Sequence, residues 1–151
     1  MDPQEDIRRT QRSVLAVAIT ILSSLLVFLA LGEVIRARFK PFTGFHQAGG
    51  DPQTLRYVVY GIAVVVVILI RVLRQALLRR RPEDSRLTLL HRLNRASLVT
   101  LVLGEVPALL GLMLFLYRGL NRDFYALIFV SLILIFMYFP RLASWNEWLK
   151  G

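Results

Sequence analysis

ASLVTLVLGEVPALLGLMLFLY, Ala96 to Tyr117, is the stretch on which the reading of this chain turns. It carries a single charge, Glu105, near its middle, and Pro107 follows two residues later. As a helix it reaches about 33 Å, enough to cross a hydrocarbon core of ~30 Å. A carboxylate at the centre of a bilayer costs roughly 2.5–3.5 kcal/mol on insertion scales. An apolar residue would avoid that cost, so an ionisable group kept at this depth marks a candidate functional site.

Three further apolar runs flank this one. Val14 to Ile35 is charged only at Glu33, close to its end. Tyr57 to Ile70 is predicted to continue as helix to Leu78, with Arg71 and Arg74 reaching back to the headgroups. Phe124 to Phe139 stops at Pro140, which cannot continue helical hydrogen bonding. Composition agrees: 56% of residues are hydrophobic and 19% charged, with charges gathered between the runs. A soluble core could not bury four such runs in 151 residues. The expectation is an all-α, polytopic membrane protein. It has one transmembrane domain over 1–151, with four transmembrane helices at about 14–35, 56–78, 96–117 and 124–140. The first run is too long for a signal-peptide core and lacks a small-residue cleavage site, so it reads as a retained anchor.

Orientation follows from the cations. Thirteen of the nineteen Lys and Arg fall in the N-terminal segment, the central segment with its flanks, and the tail; six fall in the first and third loops. Both termini are therefore expected on the cytoplasmic side of a cell membrane, of the bacterial inner-membrane type. The segment 79–95 reads as a basic cytoplasmic loop, in which Arg79, Arg80 and Arg81 are candidates for lipid-headgroup contact. Residues 141–151 read as an interfacial tail carrying Trp145 and Trp148. Phe39, Phe42 and Phe45 recur every third residue and are expected at the outer interface. The net charge of +9 is explained by topology, and no nucleic-acid motif accompanies it. The absence of cysteine excludes disulfides, iron–sulfur clusters and thiolate zinc. His46 and His91 stand alone, without metal-ligand spacing, so neither a metal nor a cofactor is expected.

The residues around Glu105 give it chemistry. Burial disfavours its charged form. Pro107 has no N–H and crowds the carbonyl of Leu103, leaving an acceptor open. Gly104 and Ala108 leave room beside the carboxylate. With Ser97, Thr100 and Gly111 they form a narrow face of small residues at steps of three and four. Ala16, Thr20 and Ser24 repeat every four in the first run. Such faces let helices approach, within one chain or between copies. Glu33 is expected to pair locally with Arg36.

Arg95 to Gly104 followed by Glu105 to Leu114, with Leu110-Gly111-Leu112 about five residues beyond the acid, resembles the carboxylate-bearing helix of the rotary ATPase proteolipid, subunit c. The resemblance covers about 25 residues. It implies a carboxylate at Glu105 that binds protons or sodium between adjacent subunits of a ring. A proton- or cation-handling subunit, within a homo-oligomer or a larger membrane complex, is one expectation. The alternative is a non-catalytic structural or assembly membrane protein, in which Glu105 stays protonated and only hydrogen-bonds the bundle. An enzyme is not expected, since no nucleophile–base pair or phosphate-cradling loop lies in the spans.

Overall fold

The computed structural model describes residues 3–45, 51–78 and 86–139, and among them every regular element is an α-helix. The helices are α1 (Pro3–Arg38), α2 (Pro52–Leu77), α3 (Arg86–Arg118) and α4 (Asn121–Met137). Three of them, over Arg12–Arg38, Gln53–Leu77 and His91–Arg118, are long and apolar enough to cross a membrane. At 17 residues α4 reaches about 26 Å, a little less than the ~30 Å core.

Local chemistry sets the ends. Asp51 caps α2, its carboxylate accepting from the Gln53 N–H at 3.1 Å, and Pro52 occupies the first turn where its missing N–H costs nothing. Arg36 and Arg38 close α1, where cations complement the helix dipole. At the end of α3, Gly119 takes a φ of 68° and its N–H returns to the Phe115 carbonyl at 2.7 Å. Two residues, Gly119 and Leu120, then separate α3 from α4.

α3 is the hub, packing against each of the other three helices. α4 runs antiparallel to it along the small-residue face. A Cβ on Gly104 would meet Ile135 and Leu134 at 3.6 and 3.7 Å, and one on Gly111 would meet the Leu127 Cβ at 2.9 Å. In lipid there is no hydrophobic drive between helices, so close backbone approach of this kind is what holds a pair. α1 lies parallel to α3 and buries Val14, Ala18, Ile21 and Leu25. α2 buries Val59, Ala63, Val66 and Ile70, at the same four-three spacing. Large apolar side chains cover the outside, among them Leu26, Val65, Phe129 and Phe136, each more than 60% exposed. So much outward apolar surface suits a hydrocarbon surround.

At one end of the bundle, called here the loop end, the segment after α1 folds back over the α3–α4 turn. The Phe45 N–H donates to the Leu116 carbonyl at 2.8 Å. Gly44, with φ at 92°, and Gly119 lie in each other's backbones: a Cβ on Gly44 would fall 2.7 Å from the Arg118 Cα, and one on Gly119 2.7 Å from the Thr43 carbonyl carbon. Phe42 packs on Phe115 with ring centroids 5.0 Å apart, while Phe39 and Phe45 stay exposed beside it.

Several boundaries differ from those read in the sequence. The helices outrun their apolar runs, because Arg, Gln and Leu at the flanks are good helix formers. Residues 86–95 of the basic segment are the first turns of α3, and α4 takes in Arg122 and Asp123. Ala16 and Thr20 are exposed, and Thr20 bonds the Ala16 carbonyl at 3.0 Å. His91 is exposed on α3. Arg79, Arg80, Arg81, His46, Pro140, Trp145 and Trp148 lie outside the described residues.

Candidate functional site

Glu105 stands on the flank of α3 that meets α1, half-buried, at the centre of His91–Arg118. Opposite it, near the centre of Arg12–Arg38, is Ser24, and the Ser24 Oγ is hydrogen-bonded to the Glu105 Oε1. The Ser24 hydroxyl also lies 2.7 Å from the carbonyl of Ile21, one turn back on α1. Among the described residues Glu105 has no ion-pair partner.

A serine hydroxyl has one proton to donate and two lone pairs to accept with. When Ser24 donates to Ile21, its contact with Glu105 needs a proton on the carboxyl, which then donates to the Ser24 oxygen. When Glu105 is ionised, the Ser24 proton turns to the carboxylate instead. Rotation of this one hydroxyl is enough to turn its proton from the Ile21 carbonyl to Glu105.

Pro107 shapes the other side of the same turn. Buried Ala108 donates its N–H to the Ser131 Oγ of α4 at 2.8 Å, with Ser131 fully buried. Gly104, Pro107, Ala108 and Gly111 are all buried, and those with small side chains form the seat of α4. The candidate residues therefore divide. Glu105 addresses α1, while Gly104, Ala108 and Gly111 address α4.

A second polar cluster lies at the loop end. Asp123, 3% exposed in the first turn of α4, accepts from the Arg56 Nε at 2.8 Å and the Tyr60 hydroxyl at 2.8 Å. Both partners sit on α2, one turn apart. Two residues on from Asp123, Tyr125 donates to Glu33 of α1, which also pairs with Arg36 at 3.1 Å as its i+3 spacing predicts. The first turn of α4 thus fastens α2 by one residue and α1 by another.

Neither Ser24 nor Asp123 was singled out for its chemistry in the sequence. The Ser23-Ser24 pair at the centre of an apolar run was the available signal for the first. For the second it was an acid adjoining a run too short to span. Among the described residues no group of three His, Asp or Glu side chains converges on one point. No protein-family model, curated protein or solved structure matches this chain.

Proposed function

We propose that this protein is a proton-handling subunit of a cell membrane, in which Glu105 is the titrating group and Ser24 its hydrogen-bonding counterpart. The observation supporting this reading is the shared Ser24 hydroxyl, within reach of both Glu105 and the Ile21 carbonyl. In this reading the carboxyl gains or loses a proton at mid-span while its Oε1 keeps the Ser24 hydroxyl as partner. A proton suits the site better than sodium or another small cation. Small cations need several oxygen ligands at once, six or more for calcium and magnesium, and here one hydroxyl links one carboxylate to one carbonyl.

In this reading α4 is the fourth span. Its apolar residues, with Tyr138 and Phe139, reach the far interface across a locally thinned bilayer. Both termini are cytoplasmic by the cation asymmetry, as in a multi-pass protein of a bacterial inner membrane. The kinship proposed with the rotary ATPase proteolipid runs through the carboxylate and its proton. A ring would be built on other faces than in that family, since α4 of the same chain covers the small residues of α3.

A non-catalytic structural or assembly role is the second reading. It is favoured by the way Glu105, Asp123 and Tyr125 each bridge two helices, so that Glu105 serves as a fastener alone. Carbodiimide treatment of the protein in vesicles separates the two. Proton handling requires labelling at Glu105 that falls as pH rises, and proton uptake into vesicles that Glu105→Gln abolishes. An unlabelled Glu105, with Glu105→Gln behaving as wild type in uptake, would establish the fastener.

A further inference from the structure

On the α3 face turned away from α4 lies an apolar groove of about 360 Å³, lined by Phe45, Leu109, Leu112, Met113, Leu116 and Tyr117. We propose that this groove holds one acyl chain of an anionic phospholipid, with the headgroup at the Arg118 end. The proposal does not rest on a proton role for Glu105.

Length points to a lipid tail. From Leu109 to Arg118 the helix rises about 14 Å, close to half of the ~30 Å core and hence to the depth of one leaflet. The groove's inner end stops one turn from Glu105, at mid-span, where a tail from that leaflet ends. At its mouth the lining becomes aromatic, with Phe45 and Tyr117, as suits the headgroup boundary.

Charge points to an anionic headgroup. The Arg118 guanidinium stands over the Tyr117 ring at 5.7 Å, which places a cation at the mouth. Arg38, Lys40 and Arg122 are exposed at the same end of the bundle. The acids there are engaged: Glu33 with Arg36 and Tyr125, Asp123 with Arg56 and Tyr60, and Asp51 with the start of α2. Six cations, Arg36, Arg38, Lys40, Arg56, Arg118 and Arg122, stand against these three acids, so this end is net positive. A phosphodiester carrying a negative charge fits it, and a zwitterionic headgroup fits it less well.

The test is native mass spectrometry of the protein released from vesicles of equal phosphatidylglycerol and phosphatidylcholine. The expected result is a retained phosphatidylglycerol. Met113→Trp, which fills the groove from a side chain 58% exposed, should reduce that retention. Arg118→Gln should lower the preference for phosphatidylglycerol about fivefold, the effect of one cation near an anionic surface. Met137→Trp, equally exposed on α4, should leave retention unchanged, with circular dichroism confirming helix in every variant. Equal retention of both lipids by the wild type, or loss of retention in Met137→Trp, would overturn the proposal. So would undiminished retention in Met113→Trp. A dimer that Met113→Trp dissolves would overturn it in favour of a second copy of the chain.

Discussion

Ser24 and Glu105 face each other near the middle of two parallel apolar spans, joined by one hydrogen bond, with the Ile21 carbonyl as the hydroxyl's other neighbour. Ser24→Ala removes the partner of Glu105 and loosens α1 from α3. A loss of about 0.6–1.7 kcal/mol is expected, from the average to the maximum measured for polar links between membrane helices. Glu105→Gln keeps a donor and an acceptor at the same place and should cost less. Thermal unfolding in mild detergent gives the ranking, and a Ser24→Ala protein as stable as wild type contradicts it.

The Asp123 cluster is more demanding, because its carboxylate is buried while Arg56 is half-exposed. Arg56→Ala leaves a buried charge with only the Tyr60 hydroxyl. Breaking a fully buried pair costs about 3–5 kcal/mol, and partial solvation of Arg56 brings the expectation down to about 2–3 kcal/mol. Adding Asp123→Asn to Arg56→Ala should recover part of that loss. Unfolding of the single and double variants measures it, and a double variant weaker than Arg56→Ala speaks against the pairing.

Gly111 and Gly61 make a matched pair of glycines. A methyl on Gly111 meets the Leu127 Cβ at 2.9 Å and the Phe124 carbonyl oxygen at 3.2 Å, whereas one on Gly61 meets nothing within 4 Å. Gly111→Ala should therefore push α4 from α3 at a cost of about 1–3 kcal/mol. Gly61→Ala should be neutral or stabilise by up to about 1 kcal/mol, through helix propensity. Equal effects at the two sites would mean that α3 and α4 do not pack this closely.

Gly119→Ala meets two penalties at once, a left-handed φ and contact with Phe42 and Thr43 backbone below 3 Å. It should destabilise by more than the roughly 1 kcal/mol of an αL alanine alone, and protease should then cut the 39–45 segment faster. Unaltered proteolysis would show that the two turns are independent.

Much of the helical frame was legible because apolar runs and the charges between them are one-dimensional signals. Three long helices, the local Glu33–Arg36 pair and the small-residue face of α3 could be read that way. The polar contacts could not. Ser24 and Glu105 are 81 residues apart, and Asp123 is 63 from Tyr60, so nothing in either neighbourhood names the other. Asp123 also adjoins an apolar run, where a solvated helix start is the simpler reading. The outward direction of Ala16 and Thr20 was hidden for a related reason. A small-residue stripe has the right spacing on any side of a helix, and only the neighbour's position decides which stripe is used.

The centrality of α3 carries a consequence for biogenesis. A chain delivered to the bilayer from its N-terminus places α1 and α2 there first, and these two have little to hold each other. They wait as separate rods until the third helix arrives between them. The α3–α4 hairpin then supplies the carboxylates for Ser24 and Arg56, the tyrosine for Glu33, and the turn onto which the first loop locks. Truncation after α2 should thus leave two inserted but unassociated segments, exposed to membrane quality control, whereas the full chain closes in its last step.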